Sequence, residues 1–288
     1  MGFGWFLQHW LRNMAGQTIR ETVAGAARQQ IAGARQAAEQ AAQGPRPCDV
    51  GIVFALTNES GGLEDLLEDV VAVRGEGFTV RRGQWRGRHV AMAISGAGRQ
   101  AAARAADALI LGHRPPLVIS AGFCGALSPE VRRHDVVVAD SLADAAGNVI
   151  QLDRSRWAPA LPAPPPRVHV GRLLTVDEIV RRAAEKRQLG EKHQALAVDL
   201  ESLAVAEVCR RQGVPILVIR IATDALDDEL PREVDRLTRQ RTRAGRWGAA
   251  FGAILSRPGV IKDLYKLREN ALTASDRLAR FLVRVIET

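Results

Sequence analysis

From Asp49 to Thr223, short uninterrupted apolar runs alternate with Ala-rich stretches of helical spacing, a pattern that few architectures accept. "DVGIVFAL", "GRHVAMAISGAG", "PLVISAGFCGAL", "HDVVVADSL", "PPRVHVGRLLT" and "ILVIRIAT" read as strands. "RQAAARAADALILG" and the segment from about Asp199 to the Gly213-Val214-Pro215 turn read as helices. Strands that are apolar at nearly every position must be covered on both faces. The expected fold is therefore α/β: one domain over residues 46–257, with a central mixed, twisted sheet flanked by helices and helical extensions at both ends. "SAGFCGA" is expected to turn sharply after its strand, and no internal repeat is visible.

The two ends have a different texture. Residues 1–45 carry Phe3, Phe6, Leu7, Trp10, Leu11 and Met14 at helical spacing, then an Ala-rich stretch that ends at Gly44 and Pro45. An aromatic face with few charges fits a helix lying in a membrane interface. It fits equally a helix docked on its own domain or on a second subunit. After Asp228, six arginines from Arg232 to Arg246 fall on one predicted helix, which Pro258 and Gly259 end. The last segment, 258–288, is amphipathic: Ile261, Leu264, Leu267, Ala271, Ser275, Leu278, Phe281 and Val285 recur every three or four residues, with Lys and Arg opposite. A docked terminal helix is the expectation, and a lipid-facing hairpin the sharper alternative.

A formal net charge of +8 favours anionic partners. Arg and Ala are abundant throughout and Lys is scarce, however, so the charge reads as compositional bias. The body has few aromatics and the chain one tyrosine, poor material for stacking bases, and no specific nucleic-acid partner is expected. Cys48, Cys124 and Cys209 are far apart and odd in number, which argues against a disulfide framework or a zinc site and fits a reducing compartment. The start lacks the basic region and continuous apolar run of a signal peptide. No stretch approaches the roughly 20 apolar residues of a spanning helix. The expected location is the cytoplasm, with the ends offering peripheral contact to the inner face of the membrane.

Ligands of α/β sheets bind at the carboxyl ends of strands, and three acids fall there. Glu59 follows the first strand in "GIVFALTNES". Glu201 lies just inside a helix in "VDLES", where the helix N-terminus favours negative charge. Asp224 follows the strand in "IRIATDA". Taken singly, each reads as well as a cap or turn residue. A buried carboxylate is costly unless paired or hydrogen-bonded, so three on one rim call for a ligand.

These segments resemble the nucleoside phosphorylase/nucleosidase superfamily, and most of all its 5′-methylthioadenosine/S-adenosylhomocysteine nucleosidase branch. The likeness runs over about residues 49–255 and is carried by "GIVFALTNE", "SGAGRQAAARAA", "VISAGFCGALSPEVRRHDVVVAD", "GRLLTVDEIV" and "AVDLESLAVAEVCRRQGVPILVIRIATD". It implies that Glu201 accepts the ribose 2′- and 3′-hydroxyls, that Asp224 protonates the purine at N7, and that Glu59 activates water for attack at C1′. Leu200 stands where the family has a Met under the ribose, a volume-conserving exchange. Ala55 and Gly122 fall at pocket positions. No cofactor or metal is implied. The partner would be a small-molecule nucleoside, and members usually pair subunits near the site, so a homo-oligomer is expected.

The departures carry information too. Phosphate-using members with a similar "SAGFCGA" segment have Arg and Ser where this chain has Ser120 and Phe123, so hydrolysis is expected ahead of phosphorolysis. Arg99, in "SGAGR", remains a possible anion contact. The family's adenine-stacking Phe is replaced by Ile179, and Val180 takes the position whose backbone reads the base edge. The terminal basic helix is similar to those of hopanoid-biosynthesis members that remove adenine from adenosylhopane, a lipid-linked nucleoside. The readings left to weigh are a nucleosidase, a phosphorylase, and a non-catalytic nucleoside-binding module. The third is disfavoured because all three acids are kept.

Overall fold

The structure, a computed structural model, describes residues 47–153, 167–230 and 260–287. The expected arm at 1–45, the Pro-rich break at 162–166 and the arginine helix at 232–246 lie outside these residues.

Strand β1 (Val50–Phe54) is buried at every position because it runs parallel between two neighbours, β4 (Arg88–Ile94) and β5 (Val118–Ala126). Its side chains alternate between two cores: Val50, Ile52 and Phe54 enter one and Val53 the other. The first face is covered by α1 (Thr57–Glu64) and α5 (Val260–Glu287), through Leu63, Leu278, Phe281 and Leu282. The second is covered by α2 (Arg99–His113) and α4 (Ser202–Gln212), through Ala102, Ala105, Leu109, Val205 and Cys209. Small residues on α2 let that helix lie close against the strands.

Among the described residues the sheet is mixed and has ten strands, the others being β2 (Glu68–Arg74), β3 (Thr79–Trp85), β6 (Val136–Asp144), β7 (Val149–Gln151), β8 (Val168–Thr175), β9 (Ala197–Asp199) and β10 (Ile216–Asp224). One half is open, running β2-β3-β4-β1-β5. The other half returns on itself: β5 pairs with β10, β10 with β6, β6 with β8, β8 with β9, and β9 with β5 again. The carboxyl ends of the parallel strands therefore surround a common space rather than lining one edge.

Several expectations need correction. "SAGFCGA" is no turn: β5 continues through it to Ala126, paired with β10 along most of its length and with β9 at its end. The helix expected from about Asp199 begins at Ser202, after the short β9. Strands β2 and β3 and helix α3 (Ala183–His193) were not expected. β2 is an exposed edge strand, and β3 mixes Arg, Gly and Gln into its run, so neither carries a continuous apolar signature.

The last segment is docked from Ala274 to Ile286, as its spacing suggests; Ile261, Leu264 and Leu267 of the expected apolar face lie outside the residues whose side chains are described. Ala274, Leu278, Phe281, Leu282, Val285 and Ile286 are buried in the core, and each such Leu, Phe or Ile contributes roughly 1.5–3 kcal/mol by burial. α5 meets α1 backbone to backbone: the Gly62 N–H donates to Ser275 Oγ at 2.9 Å, and a Cβ on Gly62 would lie 2.8 Å from the Ser275 carbonyl oxygen. Among the described residues, no helix is long and apolar enough to cross a membrane.

Candidate active site

A cavity of about 280 Å³ opens where β1, β5, β8, β9 and β10 end. Asn270 and Ala271 of α5 form part of its wall, so the terminal helix belongs to the site. Glu59, Glu201 and Asp224 all reach this cavity.

Glu59 is the third residue of the short helix α1, and it does two jobs at once. Its Oε2 accepts the N–H groups of Leu56 at 2.7 Å and Ala55 at 2.9 Å, satisfying donors left open at the helix start. Its Oε1 accepts the N–H of Phe123 at 2.9 Å, reaching across to β5. Burial raises its pKa, against which these three bonds and the charge of Arg220 work. Gly122 is what lets the carboxylate come so near β5, because a Cβ there would stand 2.8 Å from Glu59 Oε1.

Glu201 is the N-cap residue of α4 and does not lie inside the helix as expected. Its side chain leaves the cap and accepts the Gly98 N–H at 2.7 Å. That amide is presented by the "SGAG" turn, where Gly98 has φ +99°, a conformation that disfavours any residue with a Cβ. Burial, then the charges of Asp199 and Glu59, push the Glu201 pKa up to about 8.

Behind these acids lies a buried group that the sequence reading missed. Asp199 takes hydrogen bonds from Thr175 Oγ1 at 2.8 Å, from the Ser202 N–H at 3.0 Å and from Arg220 Nε at 2.9 Å. Arg220, from the middle of β10, also donates through Nη2 to Ser120 Oγ at 3.0 Å. Burial works against its charge, but Asp199, Glu59 and Glu201 hold it firmly protonated.

At the far end of the cavity Asp224 is ion-paired through Oδ2 with Lys186 of α3, a side chain with no exposed surface. Lys186 Nζ also donates to the carbonyls of Ala225 at 3.0 Å and Asp228 at 2.9 Å, so all three of its N–H donors are used. Asp224 Oδ1 accepts the Thr223 hydroxyl at 3.1 Å. Burial raises the Asp224 pKa and outweighs the lowering by Lys186.

Of the other expected residues, Ala55, Phe123, Ile179, Val180 and Leu200 line the cavity. Gly122 does not; it stands behind Glu59. Arg99 is a correction: its guanidinium donates to the Thr175 carbonyl at 2.8 Å and pairs with Asp177 at 2.9 Å, and it does not line the cavity. Among the described residues, no cluster of His, Cys, Asp and Glu is arranged to hold a metal ion.

The sequence profile of the phosphorylase superfamily matches residues 49–257. Three solved structures share the fold. The 5′-methylthioadenosine/S-adenosylhomocysteine nucleosidase of Helicobacter pylori is 19% identical with a TM-score of 0.65, over 85% of this chain and 99% of that one. Futalosine hydrolase of the same organism is 19% identical with a TM-score of 0.65, over 83% and 97%. The 5′-methylthioadenosine/S-adenosylhomocysteine nucleosidase of Neisseria meningitidis is 20% identical with a TM-score of 0.63, over 83% and 98%.

Proposed function

The chain belongs to the phosphorylase superfamily, and from that premise we propose that it is a nucleosidase, hydrolysing the N-glycosidic bond of a 5′-modified adenosine to release adenine. The observation that carries this reading is the convergence of Glu59, Glu201 and Asp224 on one cavity.

In the proposed reaction Glu201 holds the ribose hydroxyls, for which a carboxyl group is a good partner. Asp224 gives its proton to N7 of the base. The C1′–N9 bond breaks with its electron pair going to the purine, so adenine leaves neutral. Water adds its oxygen to C1′, and Glu59 takes the proton that this water loses, through the free lone pair of Oε1. The proton lost by Asp224 is balanced by the one gained by Glu59. Positive charge developing on the sugar is stabilised by the acids around it.

Water is favoured over phosphate by how the nearby donors are occupied. Phosphate needs cations or open N–H groups. The Phe123 amide is bonded to Glu59, Arg220 is engaged by Asp199 and Ser120, and Arg99 by Asp177 and Thr175. As to the 5′ group, a lipid-linked adenosine such as adenosylhopane is supported by α5. This helix walls the cavity at Asn270 and Ala271, presents Leu272 to solvent at 55% exposure, and belongs to a strongly basic C-terminal region. The similarity to 5′-methylthioadenosine/S-adenosylhomocysteine nucleosidases supports a soluble thioether-linked adenosine instead.

The test is adenine release from 5′-methylthioadenosine and from adenosylhopane in vesicles, with and without phosphate. Phosphate-independent release from either is expected, and strict phosphate dependence would replace hydrolysis by phosphorolysis. Glu59→Gln and Asp224→Asn should each cut kcat by about 10²–10⁴-fold with the circular dichroism spectrum kept. Full activity in either variant removes that residue from the mechanism.

A further inference from the structure

Asp224 is not isolated in its pocket. Its Oδ2 is claimed by Lys186, and the segment that follows is tied to α3 at several points. Lys186 binds the carbonyls of Ala225 and Asp228, Arg187 pairs with Asp227, and the Leu230 N–H donates to the Arg181 carbonyl at 3.1 Å. The Asp228 carboxylate closes the turn by accepting the Ala225 N–H at 2.6 Å. Lys186 itself is fully buried and does not line the cavity.

A buried lysine needs a reason, because sequestering a cation costs several kcal/mol unless its geometry is complete. Here the geometry is complete, and a purely structural clamp would need only the two carbonyls. The third bond goes to the one carboxyl group that faces the base. We propose that Lys186 is a positioning residue that fixes the protonation range of Asp224 and so sets the pH range over which the leaving base can be protonated. This rests on the nucleosidase reading above and deepens it.

An acid that donates a proton in catalysis works best when it titrates near the working pH. Burial alone drives a carboxyl far above its ordinary range, and a cation in contact opposes that by about one to three pKa units. The other charges near the pair do not replace Lys186. Asp228 adds negative charge and is itself paired with Arg133 at 2.6 Å, and Asp227 and Arg187 neutralise each other at the surface. The Cys124 thiol is buried, with its pKa driven up chiefly by that burial. Glu178 stands on the cavity wall, and Glu59 and Glu201 lie towards its other end. Lys186 is thus the cation that lowers the Asp224 pKa, and with only Thr223 on Oδ1, that oxygen is left to meet the base.

The test compares kcat/KM against pH for the full chain with 5′-methylthioadenosine. The descending limb reports the acid. In Lys186→Gln, which keeps hydrogen-bonding capacity and loses the charge, this limb should move to higher pH by about one to three units, while Lys186→Arg keeps it in place. KM should change little in either variant. A limb that stays or moves to lower pH in Lys186→Gln overturns the proposal. A second reading needs no folded variant at Lys186: ¹⁵N NMR of Lys-labelled wild type should show one Nζ resonance stepping with the titration of Asp224, and Asp224→Asn should abolish the step. A Lys186 resonance indifferent to Asp224 overturns the proposal as well. If wild type releases no adenine, the nucleosidase reading has failed and the NMR titration still decides the role of Lys186.

Discussion

The two ends of the cavity use acids in opposite ways. At one end Glu59, Glu201 and Asp199 share a single buried cation, Arg220. At the other, Asp224 has Lys186 to itself. At the first end three acids face one buried cation: burial raises the pKa values of Glu59 and Glu201, for Glu201 the charges of Asp199 and Glu59 add to it, and Arg220 works against both shifts. The second is a matched pair. A site that stabilises a developing sugar cation benefits from the first arrangement, and a site that hands over one proton benefits from the second. Carboxylates in one small cavity thus acquire different tasks from their partners and not from their own chemistry.

Removing each cation should separate the two ends by the largest margin. Arg220→Met leaves Asp199 buried without its ion pair beside two further acids, and should cost about 3–5 kcal/mol of stability at neutral pH. Lys186→Gln should cost less, because Asp224 alone can keep its proton. Urea unfolding of both variants measures the difference, and equal losses would show that charge crowding does not distinguish the two ends. Lowering the pH should restore part of the stability lost in Arg220→Met, since protonating the acids removes the imbalance.

A smaller effect comes from Glu201. With a pKa near 8 in the folded protein, it keeps its proton over a range in which the unfolded chain has lost it. Its contribution to stability is therefore fully present below its ordinary pKa and is lost as pH rises through about 8. Glu201→Gln mimics the protonated form and should remove this dependence. Relative to wild type, the unliganded variant should gain on the order of 5 kcal/mol between about pH 4 and pH 9. Parallel pH–stability curves for the two proteins would mean that burial and the neighbouring acids do not raise the Glu201 pKa in the folded protein.

The same contrast separates what the sequence discloses from what it hides. Arg220 interrupts "ILVIRIATD", and a charge in the middle of an apolar strand must find a buried partner. That signal was present, as was Asp199 two residues before Glu201, and together they foretell the pair. Lys186 gives no such sign. It sits in "AAEKRQLGEKH", whose charges match those of any solvent-facing helix, and only tertiary packing turns this one lysine inward. The closure of β5, β10, β6, β8 and β9 was equally hidden, since it depends on pairing between strands distant in sequence. "SAGFCGA" misled for a related reason. Its glycines signal a turn when the local chain is considered alone, whereas here they make room for carboxylates arriving from other elements. The three acids at strand ends were legible because a strand end is a local feature. Their partners were not, because partners are a property of the fold.

Those glycines give the smallest test of the two ends. A Cβ on Gly122 would lie 2.8 Å from Glu59 Oε1 and 3.1 Å from its carboxyl carbon. Glu59 cannot swing aside cheaply, because three backbone N–H groups hold its carboxylate. A Cβ on Gly125 would lie 3.1 Å from Asp224 Oδ2 and 3.4 Å from Val198 Cγ1, a tightness that shifts of a few tenths of an ångström relieve. Gly122→Ala should therefore displace the proposed base and lower kcat by roughly ten- to a hundredfold, in line with the cost of sub-ångström misplacement of a reacting group. Gly125→Ala should lower it less than about tenfold, and both variants should unfold within about 1–2 kcal/mol of wild type, as overpacking by one methyl group usually allows. The order matters more than the size. If Gly125→Ala proved the more damaging, the base end would be the more tightly constrained of the two, and the matched pair of Asp224 and Lys186 would have to be read as the rigid element of the site.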